Sequence, residues 1–349
     1  MKYSVIIPVY NRPQEVDELL ASLAGQQLQD FEVIVVEDGS AVSCADVVAG
    51  YRDRLPVRYL VKENAGPGPA RNYGAAQAQG EYLLILDSDV VLPAGYLQAV
   101  DDELEHQPAD AFGGPDRADE SFTPIQKAIN YSMTSFFTTG GIRGGRKKMD
   151  RFYPRSFNMG VRRELYRRLG GFAPMRFGED IDLSIRIFKS GARCRLFPGA
   201  WVWHKRRTDL KKFFKQVHNS GIARIHLFKK YPESLKPVHV LPAAFTLGVA
   251  LLAVVALWGG IGWGTAGSAA GRACGRTLLG AALLPLILFS LLVCIDSACR
   301  NRSLKIGLLS IVASFVQLTG YGSGFLRAWW QRCVRGRGEF EAFEQTFYQ

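Results

Sequence analysis

The chain has 349 residues, and none of its six cysteines is spaced C-x-x-C from another. Cys44, Cys194, Cys274, Cys294, Cys299 and Cys333 are scattered, so neither a cysteine zinc site nor a disulfide framework is written here, and reduced thiols in a cytoplasmic setting are expected. The turn after the first apolar run reads Pro8-Val9-Tyr10-Asn11-Arg12 where a dinucleotide-binding hydride-transfer enzyme needs G-x-G-x-x-G. A G-x-x-x-x-G-K-[ST] loop is also missing, and an ATPase would lack its phosphate cradle. Met1 to Asn11 is a short β-branched run interrupted by Pro8, which reads as a strand and not as a secretion signal. The N-terminal two thirds are therefore expected in the cytoplasm. Hydrophobic residues make up 48% and charged residues 21%, a balance that excludes a disordered chain and leaves material for a packed core.

Charge of one sign is scarce in each of two adjacent stretches. Residues 1–142 hold 9 Lys/Arg against 21 Asp/Glu, and residues 143–215 hold 21 against 6. The overall +11 suits nucleic acid or an anionic membrane surface. Three apolar runs, 238–258, 278–295 and 306–326, favour the membrane, and no nucleic-acid fold signature accompanies the basic stretch. At 1.5 Å per residue the first run covers about 30 Å of hydrocarbon, and the second is also uncharged. The third is weaker, with Ser310, Ser314, Gln317, Thr319 and a glycine-rich end at Gly320, Gly322 and Gly324. It reads as either crossing or interfacial. The segment Gly259 to Thr277 between the first two is expected to lie outside the bilayer.

The remainder alternates strands and helices. Tyr3 to Val9 and Glu32 to Glu37 are β-rich runs separated by an amphipathic stretch, Pro13 to Gln27, with Val16, Leu19, Leu20 and Leu23 at helical spacing; this predicts a βαβ unit and a parallel pair. Further strands are expected at Val57 to Val61 and Tyr82 to Leu86, with a helix from Pro69 to Ala78 between them. An open α/β sheet binds its ligand at the carboxyl ends of its strands. There the sequence places Tyr10 and Asn11, Asp38, and Asp87 with Asp89. A D-x-D pair in a strand-end turn can converge on a hard divalent cation that clamps a diphosphate, although exposed Asp pairs also cap turns.

Five ordered stretches give that pair its context: SVIIPVYN at 4–11, VIVVEDGS at 33–40, NAGPGPARN at 64–72, YLLILDSD at 82–89 and GED at 178–180. Together, over roughly residues 1–230, they resemble the family 2 glycosyltransferases of the GT-A fold. The resemblance implies a GT-A domain over 1–230, with a nucleotide-sugar part at 1–110 and an acceptor part and basic interfacial helix at 111–230, followed by a membrane region over 237–349. It implies that Asp38 meets the nucleobase, that Pro8, Tyr10 and Asn11 pack beside it, and that Arg71, unless it is a surface ion pair, lies near the nucleotide with Asp87 and Ser88. Asp89, with Asp87 and His204, would hold Mg²⁺ or Mn²⁺; His204 is otherwise structural. On the acceptor side, Asp180 aligns with the base of inverting members, unless it only decorates a helix N-terminus, and Glu179 supports the acceptor site. Asn158, Gly160 and Asp182 would line the acceptor, with decoration of a helix N-terminus as the other reading of Asp182.

The expected activity is transfer of a sugar from a UDP- or GDP-linked donor to a lipid-linked or envelope glycan at the cytoplasmic membrane. The alternatives are a polyprenyl-phosphate glycosyltransferase and an inactive membrane-anchored binding protein. The basic, aromatic stretch Lys211 to Lys230 is suited to phosphate head groups. No Q-x-x-R-W element of processive synthases is present, which favours one sugar per acceptor. Oligomeric state is left open by the sequence.

Overall fold

The computed structural model describes residues 1–117, 122–140, 152–175, 177–338 and 340. They fall into two compact units: the described parts of one are 1–117, 152–175, 177–205 and 340, and of the other 122–140 and 206–338.

The first unit begins with the expected alternation: β1 (Tyr3–Val9), α1 (Pro13–Ala24), β2 (Phe31–Asp38), α2 (Ala45–Ala49), β3 (Val57–Lys62), α3 (Pro67–Gln77) and β4 (Tyr82–Leu86). It continues through β5 (Val90–Val91), α4 (Tyr96–His106), β6 (Ala111–Gly113) and β7 (Asp116–Arg117). Helices α5 (Pro124–Thr134) and α6 (Phe136–Thr139) belong to the other unit. The first unit resumes with β8 (Asn158–Arg162), α7 (Arg163–Arg168), α8 (Glu179–Lys189), β9 (Cys194–Leu196) and β10 (Val202–His204).

Seven strands form one mixed sheet in the order β3-β2-β1-β4-β8-β6-β9. The first four are parallel, and β8 runs antiparallel to both β4 and β6. Every residue of β1, β2 and β4 is buried, as their unbroken apolar runs require of strands covered on both faces. Alternate side chains feed separate cores: Val5, Ile7, Val33, Val35, Leu84 and Leu86 join α1 and α4 on one face, and Ile6, Ile34, Val36, Leu83 and Ile85 join α3 and α8 on the other. Pro8 is tolerated in this central strand because the pairing with β4 ends two residues earlier, at Ile6 and Ile85. A second, three-stranded sheet, β5-β10-β7, stands at the carboxyl end of β4.

In the second unit the sequence continues through α9 (Leu210–Lys230), α10 (Pro237–Thr265), α11 (Ala269–Asn301) and α12 (Leu304–Trp329). By packing, α9 groups with the apolar helices, although the sequence assigns residues up to 230 to the α/β part: Phe213 and Val217 of α9 share a core with Ala128, Ile129 and Met133 of α5 and with Ile306 and Ala313 of α12. Side-chain caps start three of these helices, with Asp209, Ser268 and Ser303 accepting from the backbone amides of Lys212, Gly271 and Ile306.

The segment Gly259 to Thr277 is helical except for residues 266–268, and Gly259 lets α10 and α11 touch at Gly275. The glycines at 320–324 likewise leave α12 unbroken. Among the described residues, three helices are long and apolar enough to cross a membrane.

Candidate active site

The two-residue strand β5 follows directly on the D-x-D turn, and its antiparallel pairing with β10 sets His204 opposite Val90. The Lys205 amide donates to the Asp89 carbonyl at 3.0 Å, and this ladder carries the His204 ring to the Asp89 carboxylate, Nε2 to Oδ1 3.3 Å. Stacking on Phe157, centroids 4.8 Å apart, fixes the ring plane, and Nδ1 lies 3.8 Å from Asp116. Arg12, at the end of β1, donates to Asp89 Oδ2 at 2.9 Å.

Arg71 projects from α3 into the molecule and is buried. Its guanidinium donates to Asp87 at 2.7 Å and to Glu179 at 3.1 Å, and lies 5.0 Å from the centre of the Phe172 ring. This excludes the surface-ion-pair reading of Arg71. One cation therefore joins the D-x-D turn to the GED turn, which are about 90 residues apart in sequence. Its two carboxylates hold it charged against the cost of burial. Burial foremost, then the Asp180 charge, holds the Glu179 carboxyl above the usual carboxylate range, while Arg71 works the other way. Asp180, in the first turn of α8, accepts from the Ile181 amide at 2.8 Å and pairs with Arg155 at 2.8 Å.

The remaining residues build walls. Asp38 is buried, its carboxylate bound by Lys62 (2.6 Å) and the amides of Ala65 (3.0 Å) and Gly66 (2.7 Å), so it braces the loop that leads into α3. Asn11, with a left-handed φ of 54° that Asn tolerates, ties the ends of β1 and β2 together by accepting from the Val42 amide and donating its own amide to Ser40. Pro8 is buried, Tyr10 half-buried, and Ser88 buried between the two aspartates. Asn158 sits beside Leu86 at the end of β4, accepting from Tyr96 and donating to the Ala200 carbonyl. Gly160 lies mid-strand, where a Cβ would meet the Phe112 ring at 2.1 Å, a packing position. Asp182 is fully buried and pairs with Arg186 at 2.8 Å; Arg186 in turn donates to the carbonyls of Leu169 and Gly171. Asp182 thus anchors the turn before α8.

Arg12, Arg155, Asp116 and Lys62 are parts of this network that the sequence reading did not assign. Arg12 abuts the first strand-end motif and was within reach of it; the others belong to none of the five stretches.

Among the described residues, Asp87, Asp89 and His204 offer ligand atoms all within 4.8 Å of one another. Two carboxylates and an imidazole suit a divalent cation, Mn²⁺ better than Mg²⁺ on account of the nitrogen donor.

Residues 4–170 match the family model described as glycosyl transferase family 2. The N-terminal part of the chain is a family 2 glycosyltransferase domain. The domain is 44% identical over 101 residues to validoxylamine A glucosyltransferase of Streptomyces hygroscopicus subsp. jinggangensis, a stretch covering 28% of this chain and 24% of that protein. A longer alignment, 30% identical over 244 residues, relates it to the pre-mycofactocin glycosyltransferase of Mycobacterium tuberculosis and covers 67% of this chain and 49% of that one. The chain thus spans half or less of the length of these curated relatives. In fold it is similar to the mannosyltransferase PcManGT of Pyrobaculum calidifontis, solved with GDP-Man and Mn²⁺: TM-score 0.56 and 21% identity, with 90% of this chain and 86% of that one covered. The family 2 domain has the GT-A mixed sheet.

Proposed function

We propose that the protein is an inverting, metal-dependent glycosyltransferase that moves a sugar from a nucleoside diphosphate to a lipid-linked or envelope glycan at the cytoplasmic face of a membrane. The observation that carries this reading is the Arg71 bridge, which sets the D-x-D carboxylates and the acceptor-side Glu179-Asp180 pair on either side of one buried cation. The relatives support the class, and the complex of PcManGT with GDP-Man and Mn²⁺ supports a nucleoside-diphosphate donor held with a divalent ion. Asp87, Asp89 and His204 would hold that ion. When bound, it supplies charge to offset the departing diphosphate.

The protein side chains do the rest. Asp180 takes the proton from the acceptor hydroxyl as that oxygen bonds to the anomeric carbon. The bond to the diphosphate oxygen breaks on the opposite face, its electron pair leaves with the diphosphate, and the anomeric configuration inverts. Arg155 aims the Asp180 carboxylate; Arg71 holds Asp87 and Glu179 in place; Arg12 orients Asp89. Three apolar helices in the same chain support a membrane acceptor, with the domain on the side that nucleotide sugars occupy.

A panel of nucleotide sugars, offered to the full chain in nanodiscs with a membrane lipid extract, tests the reading. The expected result is diphosphate release with Mn²⁺ and a lipid product heavier by one sugar, both lost with chelator or in Asp89→Ala. Release that persists in Asp89→Ala with chelator present would overturn the metal-dependent mechanism.

A further inference from the structure

The α10–α11 hairpin supplies a ruler for depth. A Cβ on Gly259 would lie 2.7 Å from the Leu279 amide and 2.8 Å from the Gly275 carbonyl, so residue 259 stands opposite about residue 277. Stepping back about 17 residues on one helix and forward about 17 on the other sets residue 242 of α10 level with about residue 294 of α11. Phe245 facing Phe289, centroids 5.3 Å apart, fits the same register to within a turn.

Helix α12 meets this hairpin at both ends. Near its start, Gly307 lies against the Cys294 carbonyl and Ala298, and Ser310 Oγ is 2.7 Å from Ser297 Oγ. Near its end, Gly322 lies against the Pro242 carbonyl and Thr246, whose hydroxyl is 3.4 Å from the Leu318 carbonyl. Between the two, Phe315 packs on both Phe245 and Phe289. Residues 307 and 322 are about 22 Å apart along a helix. Their partners, 294 and 242, are level. A helix running alongside the hairpin would have climbed those 22 Å, so α12 lies crosswise.

Charge fixes the depth of that crossing. The stretch of α11 from Thr277 to Ile295 is uncharged, bounded by Arg276 and Asp296, and about 28 Å long, close to the hydrocarbon thickness. The crossing level at 294 falls at its Asp296 edge, where Asp296 accepts from Tyr131 of α5 (2.7 Å) and Arg300 (3.0 Å). One face of α12, at Ile306 and Ala313, packs with α5 and α9. Another presents Leu304, Leu308 and Val312 at four-residue spacing, 67%, 54% and 48% exposed. Trp329 and Trp330 at its end are exposed too, as aromatic residues at a membrane boundary are. Arg300, Arg302 and Lys305 stand at its start, and Arg327, Arg332, Arg335 and Arg337 at its end. A crossing would send these two basic flanks to opposite sides, against the bias that keeps Lys and Arg on one side.

We propose that α12 is a membrane-surface helix and not a third span. It lies in the interface of an anionic bilayer on the side where α10 begins, with Leu304, Leu308 and Val312 in the acyl layer and both basic flanks on the lipid phosphates. The chain crosses the bilayer twice.

Sidedness tests this independently of any activity. Alkaline phosphatase fused to the otherwise unaltered chain after Gly338 is expected to be inactive in a bacterial host, as a fusion after Ser234 is, whereas a fusion after Gly267 is active. A Gly338 fusion that behaves like the Gly267 fusion establishes three crossings and overturns the proposal. Spin labels at Leu308→Cys, Val312→Cys and Trp329→Cys, in a background without the native cysteines and in nanodiscs containing phosphatidylglycerol, give the depth. All three are expected within about one helical turn of the same depth; a crossing helix would separate the first from the last by about 30 Å.

Discussion

The strand-end site and the contacts of α12 solve one problem by opposite means, since each brings together stretches of chain far apart in sequence. At the site the contact is made by charge: Arg71 between Asp87 and Glu179, Arg12 on Asp89, Arg155 on Asp180. Around α12 it is made by removing side chains. A Cβ on Gly221 would come within 2.1 Å of the Tyr321 carbonyl, on Gly324 within 2.0 Å of the His218 carbonyl, and on Gly322 within 2.3 Å of the Pro242 carbonyl. Charge in a buried site costs desolvation that only its partners repay, and it fails steeply when one partner is lost. Packed backbone gains only dispersion and yields more gradually. The two regions should therefore respond to mutation on different scales.

The largest effect is expected where charge does chemistry. Asp180→Asn keeps shape and leaves Arg155 an acceptor, but it cannot take a proton. Turnover should fall by about two to four orders of magnitude with donor affinity nearly unchanged. Single-turnover sugar transfer read beside calorimetric donor binding separates the two, and near-normal turnover would move the base to Glu179 or another group.

Arg71→Met probes charge that holds structure. It leaves the buried Glu179 and the half-buried Asp87 facing each other without their cation, a loss of up to about 3–5 kcal/mol in unfolding free energy. Arg71→Lys, which keeps charge but cannot span both partners as a planar fork, should fall between the wild type and Met. If chemical unfolding finds Met no worse than Lys, the bridge is not what joins the two turns.

On the other side of the comparison, Gly322→Val forces a side chain against the Pro242 carbonyl and should cost about 1–3 kcal/mol. Gly248→Val, on the same bundle with nothing within 4 Å of its Cβ position, is the control and should change little. Equal thermal shifts for the two in nanodiscs would mean that helix propensity, and not close approach, sets the cost.

What was legible in the sequence divides along the same line. Strands β1, β2 and β4 could be read because residues buried on both faces leave unbroken apolar runs, and their carboxylates because motif order places them at strand ends. Arg155 could not, since an arginine outside every motif carries no mark of the carboxylate it will find. His204 was readable as a candidate from its resemblance to a family element, but the means of its placement, a two-residue strand paired across 114 positions, is too short to leave a pattern. That α10 and α11 run on past the apolar runs, to Thr265 and from Ala269, could not be read, since the glycines and arginines there carry no apolar pattern.

The smallest expected effect concerns Glu179, where the two modes of contact meet: a charge-bearing side chain held by burial as much as by its partner. Its carboxyl sits above the usual carboxylate range because burial favours the neutral form and Asp180 adds to that, with Arg71 opposing. A group raised in the folded state contributes stability at low pH and loses it as pH climbs past its unfolded value, about 4.3 for Glu, through its folded one. Carboxylates held low, such as Asp101 beside Lys2 and Tyr3, have the opposite slope, so the raw stability curve of the wild type mixes both. Glu179→Gln keeps an acceptor for Arg71 and removes only the titration. The difference between variant and wild type, taken from unfolding of the full chain in nanodiscs from pH 4 to 8, isolates it: the wild type should lose stability relative to Gln as pH rises. A difference that stays flat over that range would mean that Arg71 holds Glu179 at an ordinary carboxylate value, and that this pair belongs wholly with the other charge contacts of the site.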